Sequence, residues 1–161
     1  MNKMLGCILF VVMMAFSQEK QYLLELEGLL SAFSISDNYQ IVASETAGFN
    51  PYRFLNIALG SEQQLRNNSI SLNTFISSEY RWFLSNKGFS LGPMGGIRQL
   101  FIGTKGFSSL YLGAQTGIHF LPSQPVSVRI RYRFAVYPNS PDTFSNALLI
   151  GISLNLLQSG R

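Results

Sequence analysis

The chain holds one cysteine, one histidine and one tryptophan, and only 12% of its 161 residues are charged, about half the share of an ordinary soluble domain. Cys7 falls within the apolar run Met4 to Phe16. A chain cut after that run has no thiol, which excludes disulfides, cysteine metal sites and cysteine nucleophiles. His119 is the sole histidine, and no His/Asp/Glu group has metal-ligand spacing, so neither a metal nor another cofactor is implied. Basic residues are scattered or alternate with apolar ones, with no run of the kind that binds nucleic acid. No uninterrupted apolar run reaches the roughly 18 residues that a membrane-spanning helix needs. With 47% apolar residues and so little charge, a membrane is met by strands or not at all.

The N-terminal run is expected to be a secretion signal over residues 1–17. Lys3 supplies its basic start, Met4 to Phe16 its apolar stretch, and Ala15-Phe16-Ser17 a small-x-small cleavage site ahead of Gln18. Cys7 comes too early for a lipoprotein site, because no full apolar stretch precedes it. Residues 18–161 then form a single domain, and the formal charge of +4 becomes +3 once Lys3 is removed.

The clearest pattern is Pro125 to Tyr137, PVSVRIRYRFAVY. Val126, Val128, Ile130, Tyr132, Phe134 and Val136 share one face of a strand, and Ser127, Arg129, Arg131, Arg133, Ala135 and Tyr137 the other, since successive side chains alternate. A helical period would scatter the arginines around the cylinder. The same alternation marks Tyr22 to Phe33, with Glu25 and Glu27 on its polar face, and Ile70 to Leu84, with Glu79 and Arg81 on its polar face. It marks Phe89 to Phe101 with Arg98, Ser108 to Leu121 with Gln115 and His119, and Asn146 to Leu157 with Leu148, Ile150, Ile152 and Leu154 on the apolar side. Tyr52 to Gly60 is a further strand and Tyr39 to Thr46 a weaker one, ended by Gly48-Phe49-Asn50-Pro51. Ser61 to Asn68 reads as a polar loop, Ser85-Asn86-Lys87-Gly88 as a hairpin turn, and Pro93 as a bulge or local break in pairing.

Eight strands at this spacing predict an all-β, antiparallel up-and-down barrel, because closure removes both unpaired sheet edges. A soluble, secreted lipocalin-like barrel would put the apolar face inside around a lipophilic ligand; an outer-membrane barrel exchanges the faces. The polar face is rich in Gly, Ser and Asn and nearly free of Lys and Asp, which suits a narrow lumen better than a solvent surface. The apolar face carries Tyr22, Tyr80, Trp82, Phe89 and Phe101 near strand ends, where membrane interfaces favour aromatics. The membrane arrangement is therefore expected, with Val128, Ile130, Tyr132, Phe134 and the apolar side of Asn146 to Leu157 facing lipid.

With its signal-like N-terminus, the hairpin EYRWFLSNKGFSLGP (Glu79 to Pro93) and the closing strand ALLIGISLNL (Ala147 to Leu156), the chain resembles the small outer-membrane β-barrel proteins of the eight-stranded OmpX-like and PorT-like kind. The resemblance implies short periplasmic turns at Ala47 to Pro51, Ser85 to Lys87 and Pro122 to Pro125, longer outer loops, and both termini in the periplasm. Lipid, lipopolysaccharide and the barrel-assembly machinery are the implied partners, with an extracellular or envelope protein a further one. Such barrels commonly end on an aromatic residue, whereas here Leu157 is followed by Gln158-Ser159-Gly160-Arg161.

In a lumen just wide enough for side chains, Arg81, Arg98, Arg129, Arg131 and Arg133 are expected to share a network with Glu25, Glu27 and Glu79 and to plug it. A non-enzymatic structural or surface-interaction role follows. A lipid A-modifying enzyme centred on His119 is the catalytic alternative, but no nucleophile motif surrounds that residue.

Overall fold

The computed structural model describes residues 21–35, 38–67, 69–84, 86–139 and 143–159; the expected secretion signal lies outside them. Eight strands follow one another: β1 (Gln21–Ile35), β2 (Asn38–Tyr52), β3 (Leu55–Arg66), β4 (Ser69–Leu84), β5 (Lys87–Ile102), β6 (Lys105–Phe120), β7 (Val126–Val136) and β8 (Phe144–Ser159). Each pairs with its neighbour, and β1 with β8 antiparallel, so the sheet closes.

One ladder row runs Leu84, Lys87, Phe120, Val128, Ile152, Gly28, Glu45, Ser61, Thr74, and so returns to β4 ten residues from its start. That stagger fixes the strands at a tilt of roughly 40°. Ten residues along such a strand climb roughly 25 Å, the height of the apolar band on an outer-membrane barrel.

The faces divide cleanly. Leu110 and Leu112 are 72% and 74% exposed on the outside, whereas Arg129, Arg131 and Arg133 are each 3% exposed inside. A soluble monomer rarely leaves so much contiguous apolar surface uncovered. The soluble alternative required the opposite arrangement.

Three expectations are corrected. Ser61 to Arg66 is not loop: β3 continues through it, because Glu62 and Gln64 alternate inward and are buried, which makes a polar stretch a lumen lining. β2 likewise runs past Gly48 to Tyr52, absorbing Pro51 in an irregularity between Phe49 and Tyr52, so the turn is Arg53-Phe54 and not Ala47 to Pro51. Nor are there long loops at one end. Five of the seven connections are two residues long, the other two being residues 121–125 at one end and 137–143 at the other, and Gly103, at φ +58°, supplies the left-handed residue of the β5–β6 turn. The longest connection, residues 137–143, lies at the end opposite the paired ends of β1 and β8.

At Pro93 the β4–β5 ladder skips Ser78 and Glu79 without a register shift. A Cβ on Gly92 would lie 1.7 Å from the Ser78 carbonyl oxygen, and one on Gly96 2.0 Å from that of Thr74, so these glycines let two backbones meet.

Candidate functional site

The inward positions of β1, β4 and β7 project side chains across the lumen from three sides. Arg81 bonds Glu25 at 2.8 Å and Glu79 at 3.0 Å; Arg131 bonds Glu79 at 2.9 Å and also Glu27; Arg129 bonds Glu27 at 2.8 Å and also Glu25. The contacts close a six-membered ring, Glu25, Arg81, Glu79, Arg131, Glu27, Arg129, in which every charge touches two of opposite sign. All six side chains are buried. Such a ring is neutral, and each desolvated charge is repaid by two partners, the condition under which buried ion pairs hold.

Arg133 lies one inward position further along β7 and takes a different carboxylate. Its Nη1 is 2.8 Å from Glu62 Oε2 and donates to Ser44 Oγ at 2.6 Å, with Nε on Gln115 at 3.2 Å and the guanidinium 4.6 Å over the Phe75 ring. Arg98 stands apart from the ring as well. It donates to Ser71 at 2.9 Å and lies 4.2 Å over the ring of Tyr137, because position 98 falls near the far end of β5, well away from Glu25, Glu27 and Glu79. The eight expected charges therefore form no single network, and Glu62 is a member that sequence reasoning missed. Its signal was available: Glu62 and Gln64 continue the inward parity of Asn56 and Ala58.

Two apolar clusters complete the plug, Leu29 with Val42 and Leu149, and Phe75 with Met94, Tyr111, Ala135 and Tyr137. The lumen is thus polar towards the strand termini, while beyond the ring these apolar clusters alternate with the polar groups around Glu62 and Arg98. Among the described residues there is a cavity of about 40 Å³ lined by Arg53, His119 and Ser123 among others, and one of about 10 Å³ beside Glu62. At roughly 10–15 Å³ per water, the larger admits about three waters and the smaller one.

His119 faces the lumen, 2% exposed, with Nε2 2.9 Å from Ser90 Oγ, and Ser90 in turn donates to Glu79 at 3.5 Å. The residue types are those of a hydrolase, but the carboxylate meets the serine rather than the imidazole, and Ser90 is 1% exposed. The arrangement makes His119 a link in the wall of the plug. Among the described residues no three His, Cys, Asp or Glu side chains are grouped to hold a metal.

Outside, Val128, Tyr132, Phe134, Leu148, Ile150, Ile152 and Leu154 are exposed, and Ile130 is half-buried. Tyr80, Trp82 and Phe89 stand together on β4 and β5 near the end of the barrel that carries the strand termini, with Tyr22 half-buried at that end, while Phe101 stands at the opposite end. Tyr52 and Phe54 extend the first group: Tyr52 stacks on Phe54 at 5.4 Å, Phe54 meets Tyr80 at 5.5 Å and Tyr80 meets Trp82 edge-on at 4.8 Å.

One charge stands within the mainly apolar exterior. Among the described residues, Glu45 is the only charged side chain on the outward face away from a strand end. Phe49 and Ile41 stand four positions either side of it on β2, roughly 10 Å below and above. One of its oxygens accepts from Ser61 Oγ at 2.9 Å. Against lipid a charge at such depth costs at most about 2–4 kcal/mol.

An apolar outer wall closed around a charged, filled interior defines a membrane-spanning β-barrel. In agreement, the fold is similar to the crystal structure of Neisserial surface protein A, with a TM-score of 0.67 over 83% of this chain and 96% of that one, at 15% identity. No protein-family model and no curated protein matches the sequence.

Proposed function

We propose that this chain is a non-enzymatic outer-membrane barrel with a structural or surface-interaction role and no pore, of the small OmpX-like and PorT-like kind. The observation that carries the reading is the closed Glu–Arg ring, which fills the lumen from three strands. A filled lumen conducts nothing and houses no lipophilic ligand, and the one serine–histidine pair is sealed within it. Function then belongs to the outer wall and the rims. The wall meets lipid and lipopolysaccharide, the strands meet the barrel-assembly machinery during insertion, and an extracellular or envelope protein is met at the rim beyond Phe101. The termini lie in the periplasm, at the end carrying Trp82.

The test is reconstitution into a planar bilayer together with fractionation of the producing cells. The protein should sediment with the outer membrane, require detergent for release, and give no conductance steps. Steady channel openings, or release by osmotic shock, would overturn the reading.

A further inference from the structure

We propose that the outward face of β1 to β3 around Glu45 is a docking surface for a second copy of this chain within the membrane. The proposal rests on the membrane-spanning reading above.

Glu45 stands at mid-height on a wall whose other outward side chains are chiefly apolar, and among the described residues only one of its carboxylate oxygens has a partner, Ser61. An ionisable side chain at that depth is retained where something meets it. Its surroundings are shaped for close approach. Gly28 pairs with Glu45 across the β1–β2 ladder, and a Cβ there would touch nothing within 4 Å; Ala43 and Ala47 flank Glu45 on β2. Leu30, opposite Ala43, and Leu59, opposite Ala47, stand out at its edges, so the Gly28, Ala43 and Ala47 positions form a notch between them. Small residues let backbones approach in membranes, and polar side chains then bond across the contact.

The occupant follows from the chemistry of the patch. Gln63 is exposed, sits diagonally from Glu45 because it pairs with Ala43, and its side-chain amide has no partner among the described residues. Acceptor and donor therefore lie together on one surface, which is the requirement of a two-fold contact in which each copy meets the same patch on the other. Barrels inserted in one orientation share an axis along the membrane normal, so a residue meets others of its own height. Glu45 and Gln63 differ by roughly 8 Å of height, within the combined reach of the two side chains. A lipid offers hydrocarbon at that depth and answers neither group.

The test uses the full chain with Cys7→Ser and a single new cysteine, in outer membranes treated with a membrane-permeant bis-maleimide. Ala47→Cys should yield a cross-linked homodimer and Ile130→Cys, on β7 outside that surface, should not. Adding Glu45→Leu to Ala47→Cys should cut the homodimer at least tenfold, and Gln63→Leu should do the same, while both variants keep the fast-migrating unheated band of a folded barrel. No homodimer at Ala47→Cys, an equal yield at Ile130→Cys, an adduct with a different protein, or a yield indifferent to Glu45 and Gln63 would each overturn the docking surface. Release of the chain without detergent would instead defeat the membrane-spanning reading itself.

Discussion

Arg133 on β7 and Glu62 on β3 meet at 2.8 Å across the lumen, and the other oxygen of Glu62 accepts from Gln64 at 2.6 Å and Asn73 at 3.0 Å. The carboxylate is thus the hub of its level of the plug. Glu62→Ala leaves a buried guanidinium with its ion-pair partner gone, a loss of about 3–5 kcal/mol. Urea unfolding in detergent micelles should show this as a lowered midpoint, and Glu62→Leu combined with Arg133→Met should recover most of it, since an apolar pair removes the stranded charge along with the bond. An equally low midpoint for the double variant would show that hydrogen bonding, rather than charge pairing, governs that level.

Arg131 joins two carboxylates of the ring, Glu27 and Glu79, whereas its neighbour Ile130 points outward. Arg131→Glu would set three carboxylates together in a buried space, while Ile130→Leu keeps volume and polarity and costs under about 1.5 kcal/mol. Heating in detergent should convert Arg131→Glu to the unfolded gel band at a markedly lower temperature than Ile130→Leu. Equal melting would place the arginines in solvent.

The strand alternation of β7 and β8 was legible because the outward face of each is apolar almost throughout, even though Leu149 lies on the inward side of β8. β2 was not, for a physical reason now visible: its outward row is Ile41, Ala43, Glu45, Ala47, Phe49, and its inward row opens with Val42, so neither face is pure. Glu62 and Gln64 hid for the converse reason, since a wholly hydrophilic stretch resembles a loop unless its parity is followed from Asn56. The grouping of the charges was illegible at any level of pattern. Which arginine meets which glutamate depends on the ten-residue stagger of the ladder, which sets Arg81, Arg129 and Arg131 level with Glu25, Glu27 and Glu79 but lifts Arg133 and Arg98 beyond them.

Glycines on this wall differ in what they permit. A methyl at Gly92 would fall 1.7 Å from the Ser78 carbonyl oxygen, and only a shift of the β4 backbone relieves it; one at Gly28 meets nothing within 4 Å. Gly92→Ala should destabilise by about 1–3 kcal/mol or block folding, and Gly28→Ala should stay within about 0.5 kcal/mol of the parent. Refolding yield into micelles, read from the unheated gel band, separates the two. A tolerated Gly92→Ala would mean that β4 and β5 are not so closely apposed at Pro93.

Orientation in the membrane turns on two lysines. Lys87 opens β5 at the end where β1 begins and β8 finishes, as the pairing of Gln21 with Ser159 fixes, while Lys105 opens β6 one strand length away at the opposite end. Both are exposed, and each stands next to a tight turn. If the termini are periplasmic, only Lys105 faces the medium. A membrane-impermeant amine reagent applied to intact cells should therefore modify Lys105 and spare Lys87, and both should react once the outer membrane is permeabilised. Labelling leaves the barrel folded, so the result does not depend on whether a protease can enter a two-residue turn. Modification of Lys87 with Lys105 protected would invert the barrel, turning the Tyr52, Phe54, Tyr80 and Trp82 aromatics outward and moving any partner-binding rim to the end that carries Arg53 and Ser123.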